Sequence, residues 1–213
     1  METILSVAGE NQGTPETREE RAIREAEEKR AIREKVARPM LYLAMGSMVM
    51  LFAAFTSAYV VRQQKGDWMH FEMPQIFYIS TAIIIISSVT MNWALASAKK
   101  NETRNIRLAS LLTLLLGAAF VICQVMGWNV LYSQKIVFAG KYSNASGSFF
   151  YVLTLMHLLH LFGGMIALLV VWIKSIQGKY NSGNLLGVRL CAIFWHFLDL
   201  LWIYLFLFLL FVR

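Results

Sequence analysis

Five apolar stretches, at about 40–62, 75–98, 107–129, 149–173 and 190–212, decide most of what this 213-residue chain can become. About 20 apolar residues wound as a helix cross roughly 30 Å of hydrocarbon, and inside that slab every backbone N–H and C=O needs a partner within the protein. Each stretch is therefore expected to be a transmembrane α-helix. The fold class that follows is an all-α integral membrane protein, a bundle of five transmembrane helices preceded by a charged cytoplasmic N-terminal helix. Its expected domains are an N-terminal arm, 1–38, disordered and then helical, and a five-helix membrane domain, 39–213.

Charge sets the orientation, because Lys and Arg concentrate in cytoplasmic connectors. The arm holds eight (Arg18, Arg21, Arg24, Lys29, Arg30, Arg33, Lys35, Arg38), the loop between spans two and three holds four (Lys99, Lys100, Arg104, Arg107), and that between spans four and five holds three (Lys174, Lys179, Arg189). The other side has five: Arg62, Lys65, Lys135, Lys141 and Arg213. The N-terminus is expected in the cytoplasm and the C-terminus outside. The net charge of +7 then reflects anchoring to anionic lipid at the inner face, and no nucleic-acid partner is implied. The start, METILSVAGENQGTPETREE, lacks a basic segment followed by an apolar one, and its acidic residues argue against a mitochondrial transit peptide. Insertion is expected to be directed by the first span. Cys123 and Cys191, both inside spans, suggest neither a disulfide framework nor a thiolate metal site.

Thr17-x-x-Glu20 offers a capping box for the charged helix. RAIRE occurs at 21–25 and again at 30–34, and the pairs Glu20/Arg24, Glu25/Lys29 and Arg30/Glu34, each four apart, steady an exposed helix by a few tenths of a kcal/mol. Pro39 and Pro74 suit first turns of spans one and two, where the missing N–H costs nothing. The loop from Gln63 to Met73 holds Asp67, Trp68, His70 and Glu72. Solvated charges beside a headgroup-level Trp account for them better than a metal site does. Span two carries Ser80, Thr81, Ser87, Ser88, Thr90 and Asn92, residues that let helices approach closely and bond across the interface. Asn144-Ala145-Ser146 has the glycosylation pattern, a triplet frequent by chance.

Span five contains the only carboxylate within any of the five stretches, Asp199, in the run FWHFLDLLW. An ionisable side chain near the bilayer centre is costly, so it should face protein and hold a partner. His157 and His160 share one face of span four, as His196 and Asp199 do of span five. At 1.5 Å per residue, His160 lies about 16 Å from the outer end and Asp199 about 15 Å from the inner end, which makes them level. A bond from Asp199 to His160 or His157 is the expected pairing. These residues admit three roles: a polar lock fixing the register of spans four and five, a metal or haem site, or a proton relay. The bulk of Phe194, Trp195, Phe197, Trp202, Tyr204, Phe206, Phe208 and Phe211 argues against haem, and Gly163 and Gly164 are better suited to admitting a neighbouring helix. On the locking role, Asp199→Asn is expected to weaken packing more than any turnover.

The runs TLMHLLHLFGG (154–164) and FWHFLDLLWIYLFLFLL (194–210) resemble the last two spans of subunit III of haem-copper terminal oxidases, with a pattern near HxxHxxxG and then WHFxDxxW. The likeness extends through MGSMVMLFAAFTSAYVVR (45–62), SSVTMNWALASAKKN (87–101) and LGAAFVICQVMGW (116–128), and so covers about 40–213. The resemblance implies a short five-span form of the family. It implies a non-catalytic subunit of a cytochrome c or quinol oxidase that supports assembly, stability and proton uptake during oxygen reduction. Catalytic, cofactor and metal residues are then expected to be absent from this chain, with haem and copper in partner subunits and room left for bound phospholipid. Its expected partners are the catalytic subunit I, the other oxidase subunits and membrane lipids, with membership of a larger respiratory supercomplex left open. His157, His160, Trp195, His196 and Asp199 match the pattern and form the expected structural polar network. One departure is Ser47-Met48, where Met48 replaces the family's membrane-embedded Glu, so no proton role assigned to that acid carries over. The rival functions are a small proton-coupled transporter, which would show internal repeats and broken helices, and an assembly factor.

Overall fold

In the computed structural model, residues 17–65, 68, 73–136, 138, 144–178 and 185–212 are described. They form five helices: α1 (Arg18–Gln63), α2 (Ile76–Lys99), α3 (Thr103–Ser133), α4 (Ala145–Ile176) and α5 (Leu186–Phe211). Each contains an apolar segment long enough to cross a membrane, that of α1 being Lys35–Gln63. α3 and α4 overrun their apolar stretches by three or four residues at each end, because hydropathy marks the hydrocarbon while helical hydrogen bonding continues past it; Pro39, expected in a first turn, lies inside α1. The chain divides into two compact units, Met1–Met40 and Leu41–Arg213.

In the first unit, α1 starts on a reciprocal capping box: the Thr17 N–H donates to Glu20 Oε2 at 2.8 Å and the Glu20 N–H to Thr17 Oγ1 at 3.3 Å. Two of the first-turn donors that a helix leaves unsatisfied are met this way. Lys29 and Glu25 form the expected pair at 3.4 Å. It is solvent-exposed and worth little. The side chains of Arg30 and Glu34, the start of the chain, and Asp67, His70 and Glu72 lie outside the described residues.

In the second unit, α2, α3, α4 and α5 close a ring, each packed against the next and α5 returning to α2. The part of α1 in this unit reaches the ring through large side chains. Phe52 meets His160, with ring centroids 5.8 Å apart, and Tyr59 packs edge-on against Trp68, Phe149 and Phe208. Between α1 and α5 lies an apolar groove of about 650 Å³ bounded by Val49, Phe52, Leu200 and Tyr204.

Lipid tails are as apolar as Leu, so no hydrophobic force drives these helices together; close packing and polar bonds do. The α3–α4 seam is tied at both ends. At one, Arg107 donates to the Ser175 and Ile176 carbonyls at the α4 C-terminus, at 3.0 and 3.1 Å, satisfying acceptors that the helix end leaves free. At the other, Trp128 Nε1 donates to Thr154 Oγ1 at 3.1 Å and the Tyr151 hydroxyl to the Ile136 carbonyl at 3.0 Å. Asn144, of the glycosylation-like triplet, caps α4 by accepting from the Ser146 N–H at 3.3 Å.

Glycines mark the tightest approaches. A Cβ on Gly127 would stand 2.5 Å from Phe77 Cζ and one on Gly164 would stand 2.9 Å from Leu198 Cδ1, whereas Gly163 has nothing within 4 Å. Of the pair expected to admit a helix, only Gly164 admits one of this chain. Gly127→Ala should therefore destabilise the bundle by about 1–3 kcal/mol through overpacking against a fully buried ring. Gly163→Ala should instead stabilise it by up to about 1 kcal/mol through helix propensity. Unfolding both variants in mixed micelles checks the contrast, which vanishes if the two midpoints move together.

Candidate functional site

The chemistry-bearing side chains gather on α2, α4 and α5. The small polar residues of α2 bond outward in two directions, as their composition led one to expect. Toward α3, Ser80 Oγ accepts from Gln124 Nε2 at 3.0 Å, and Thr90 meets Thr113 at 2.8 Å. Toward α5, Thr81 Oγ1 accepts from Trp202 Nε1 at 3.0 Å, Ser87 Oγ accepts from Trp195 Nε1 at 3.1 Å, and His196 lies between Ser88 (Nδ1, 2.7 Å) and Asn92 (Nε2, 3.0 Å). Two indoles and an imidazole thus dock one after another onto four residues of a single helix. At about 0.6 kcal/mol for an average interhelical bond in a membrane, the seam gains more in specificity of register than in energy.

Trp195 is central to this packing. It is fully buried, its indole edge reaches α3, where a Cβ on Gly117 would stand 2.8 Å away, and its other side faces Gly164 of α4. Gly117 and Gly164 provide the space that the indole fills. No local pattern in the sequence pairs those glycines with that Trp, since the contact depends on which helix lies opposite.

The five residues expected to form one polar network are distributed differently. Trp195 and His196 bond to α2. His160 is half-buried, rests on Phe52, and turns Nδ1 back to the Met156 carbonyl of its own helix at 2.7 Å. His157 is 1% exposed and packed between Phe120 and Trp202, with centroids 6.1 and 5.2 Å away, and neither of its ring nitrogens has a hydrogen-bond partner. Asp199 is 4% exposed, and both of its oxygens likewise lack one. Ser88 stands beside the carboxyl, but its hydroxyl is bonded to His196. Asn92 Oδ1 can only accept, so His196 Nε2 carries a proton, and when the ring is neutral Nδ1 accepts from the Ser88 hydroxyl.

No hydrogen bond therefore joins Asp199 to His157 or His160 among the described residues. The height expected from counting residues is consistent with the register, in which Gly164 lies opposite Phe194 to Leu198 and His157 opposite Trp202. Direction around the helix is what differs. Asp199 shares the inward face of α5 with Trp195 and Trp202, four residues before and three after it, whereas His160 is turned toward α1. Register between α4 and α5 is held instead by Gly164 against Leu198 and by His157 against Trp202.

Aromatic rings cover His157, and among the described residues no three of His, Cys, Asp and Glu come together as metal ligands would. Cys191 is buried and Cys123 partly so, both as free thiols. The arrangement defines a multi-pass membrane protein whose polar groups are spent on joining helices, with two ionisable side chains enclosed in the ring. A family model described as cytochrome c oxidase subunit III matches residues 40–212, and the chain belongs to that family. It is 30% identical to the probable cytochrome c oxidase subunit 3 of Nocardia farcinica, over 79% of this chain and 84% of that one. It is 32% identical to cytochrome c oxidase subunit 3 of Thermostichus vulcanus, over 73% and 75%. Against the Loxodonta africana subunit the identity is 32% over 61% of this chain and 47% of that longer one. Membership of this family implies assembly with other oxidase subunits.

Proposed function

We propose that this chain is a non-catalytic subunit of a respiratory haem-copper oxidase, packed on the haem- and copper-bearing subunit I and supporting assembly, stability and proton uptake during oxygen reduction. Haem and copper belong to the partner subunits, and this chain supplies shape, hydrogen bonds and lipid contact. The observation that carries the reading is the match over residues 40–212, joined to a site whose Trp195, Trp202 and His196 are all committed to α2. His157, His160, Trp195, His196 and Asp199 act as structural residues of the ring interior and seams. The excess of Lys and Arg in the arm and in the 2–3 and 4–5 connectors supports a cytoplasmic N-terminus with an arm of about 1–38 on that side, and the membrane we assign to it is a bacterial inner membrane.

The purified chain is expected to show no Soret absorption and no stoichiometric iron or copper, while the oxidase purified through it shows both. A haem that stays with the isolated chain would overturn the assignment in favour of a self-standing membrane cytochrome.

A further inference from the structure

The outward side of the α2–α5 seam carries a polar group that lipid does not satisfy. Asn92 is exposed and its Oδ1 is taken by His196 Nε2 at 3.0 Å, so the two Nδ2 hydrogens are left with no acceptor among the described residues. Seven residues, about 10 Å of helix, separate Asn92 from Lys99 at the end of α2. Lys99 and Lys100 mark the headgroup level, so the amide lies inside the hydrocarbon, below the ester carbonyls that lipid offers as acceptors. Unbonded N–H groups at that depth are costly, and protein, not acyl chain, is what covers them.

We propose that this patch is a docking site for a transmembrane helix of another oxidase subunit, one that presents a side-chain acceptor (a hydroxyl, amide oxygen or carboxylate) to Asn92 Nδ2. The surroundings fit a helix. Val89, 65% exposed, lies one turn above Asn92, and Ala96, also exposed, one turn below. A small side chain such as Ala96 next to a polar one is what lets two membrane helices approach closely and bond. His196, held by Ser88 on its far side, fixes the amide orientation, so the donors are already aimed and little side-chain freedom is lost when a partner docks.

The inference rests on the chain being an oxidase subunit, and one experiment separates the two. A photo-crosslinking residue, p-benzoylphenylalanine, replaces Val89 in the intact oxidase, which leaves the Ser88–His196–Asn92 bonds in place. The expected product on irradiation is a covalent adduct with a different oxidase subunit, its yield falling about threefold when Asn92→Leu is added, the factor that one average interhelical bond represents. Adducts with lipid alone, adducts with a second copy of this chain, or a yield indifferent to Asn92→Leu in an assembled oxidase would overturn the docking site. If no oxidase subunit co-purifies at all, the oxidase assignment falls, and this inference with it.

Discussion

Trp195→Ala is expected to cost the bundle about 4 kcal/mol, the middle of the range for truncating a buried Trp or Phe. The indole is fully buried, donates to Ser87 across the α2 seam, and occupies the spaces left by Gly117 of α3 and Gly164 of α4. Its removal opens a cavity where four helices meet, and the rigid helices have little means of closing it. A double-mutant cycle makes the claim specific. Gly117→Ala alone should destabilise, because its Cβ would stand 2.8 Å from the indole. In the Trp195→Ala background the same methyl enters the cavity and should be neutral or restoring, a coupling of about 0.5–3 kcal/mol. Unfolding in mixed micelles measures all four corners. Additive costs would show that Trp195 and Gly117 do not share the contact.

Asp199→Leu should act in the opposite direction. A carboxyl with both oxygens buried and unbonded leaves the fold carrying a penalty of about 1–3 kcal/mol, and a leucine of similar reach relieves it. The unfolding midpoint is therefore expected to rise, reversing the sign expected if the carboxyl locked α5 to a histidine of α4. Oxygen turnover per assembled oxidase is expected to stay within about twofold of wild type, a change of under 0.5 kcal/mol in the barrier. A fall of tenfold or more with normal assembly would make Asp199 a proton-handling group that the fold tolerates at a cost to stability. A lowered midpoint would mean instead that the carboxyl does hold something in place, with water or a partner chain as the other half of the bond.

Much of this is legible in the sequence. Thr17 and Glu20 form their capping box from local geometry alone, because three residues of a nascent helix suffice to bring the groups together. Ser80, Thr81, Ser87, Ser88, Thr90 and Asn92 announced an interhelical role, since small polar side chains in hydrocarbon have to bond with something. What composition left open was the recipient. Four of the six serve α5 and two serve α3, a division set by the order in which the ring closes. Gly163 and Gly164 were indistinguishable as letters, and only the approach of Leu198 separates them.

The sequence by itself determined the spans and their helical state, because hydropathy and a rise of 1.5 Å per residue are properties of a single helix. Which way each residue faces was decided by tertiary structure alone. His160 and Asp199 are level by residue count yet point apart, toward α1 and into the ring respectively. Rotation about a helix axis is fixed by the packing of helices distant in sequence, here the seating of Trp195 between Gly117 and Gly164. That one packing decision carries Asp199, on the same face of α5, into the interior away from His160.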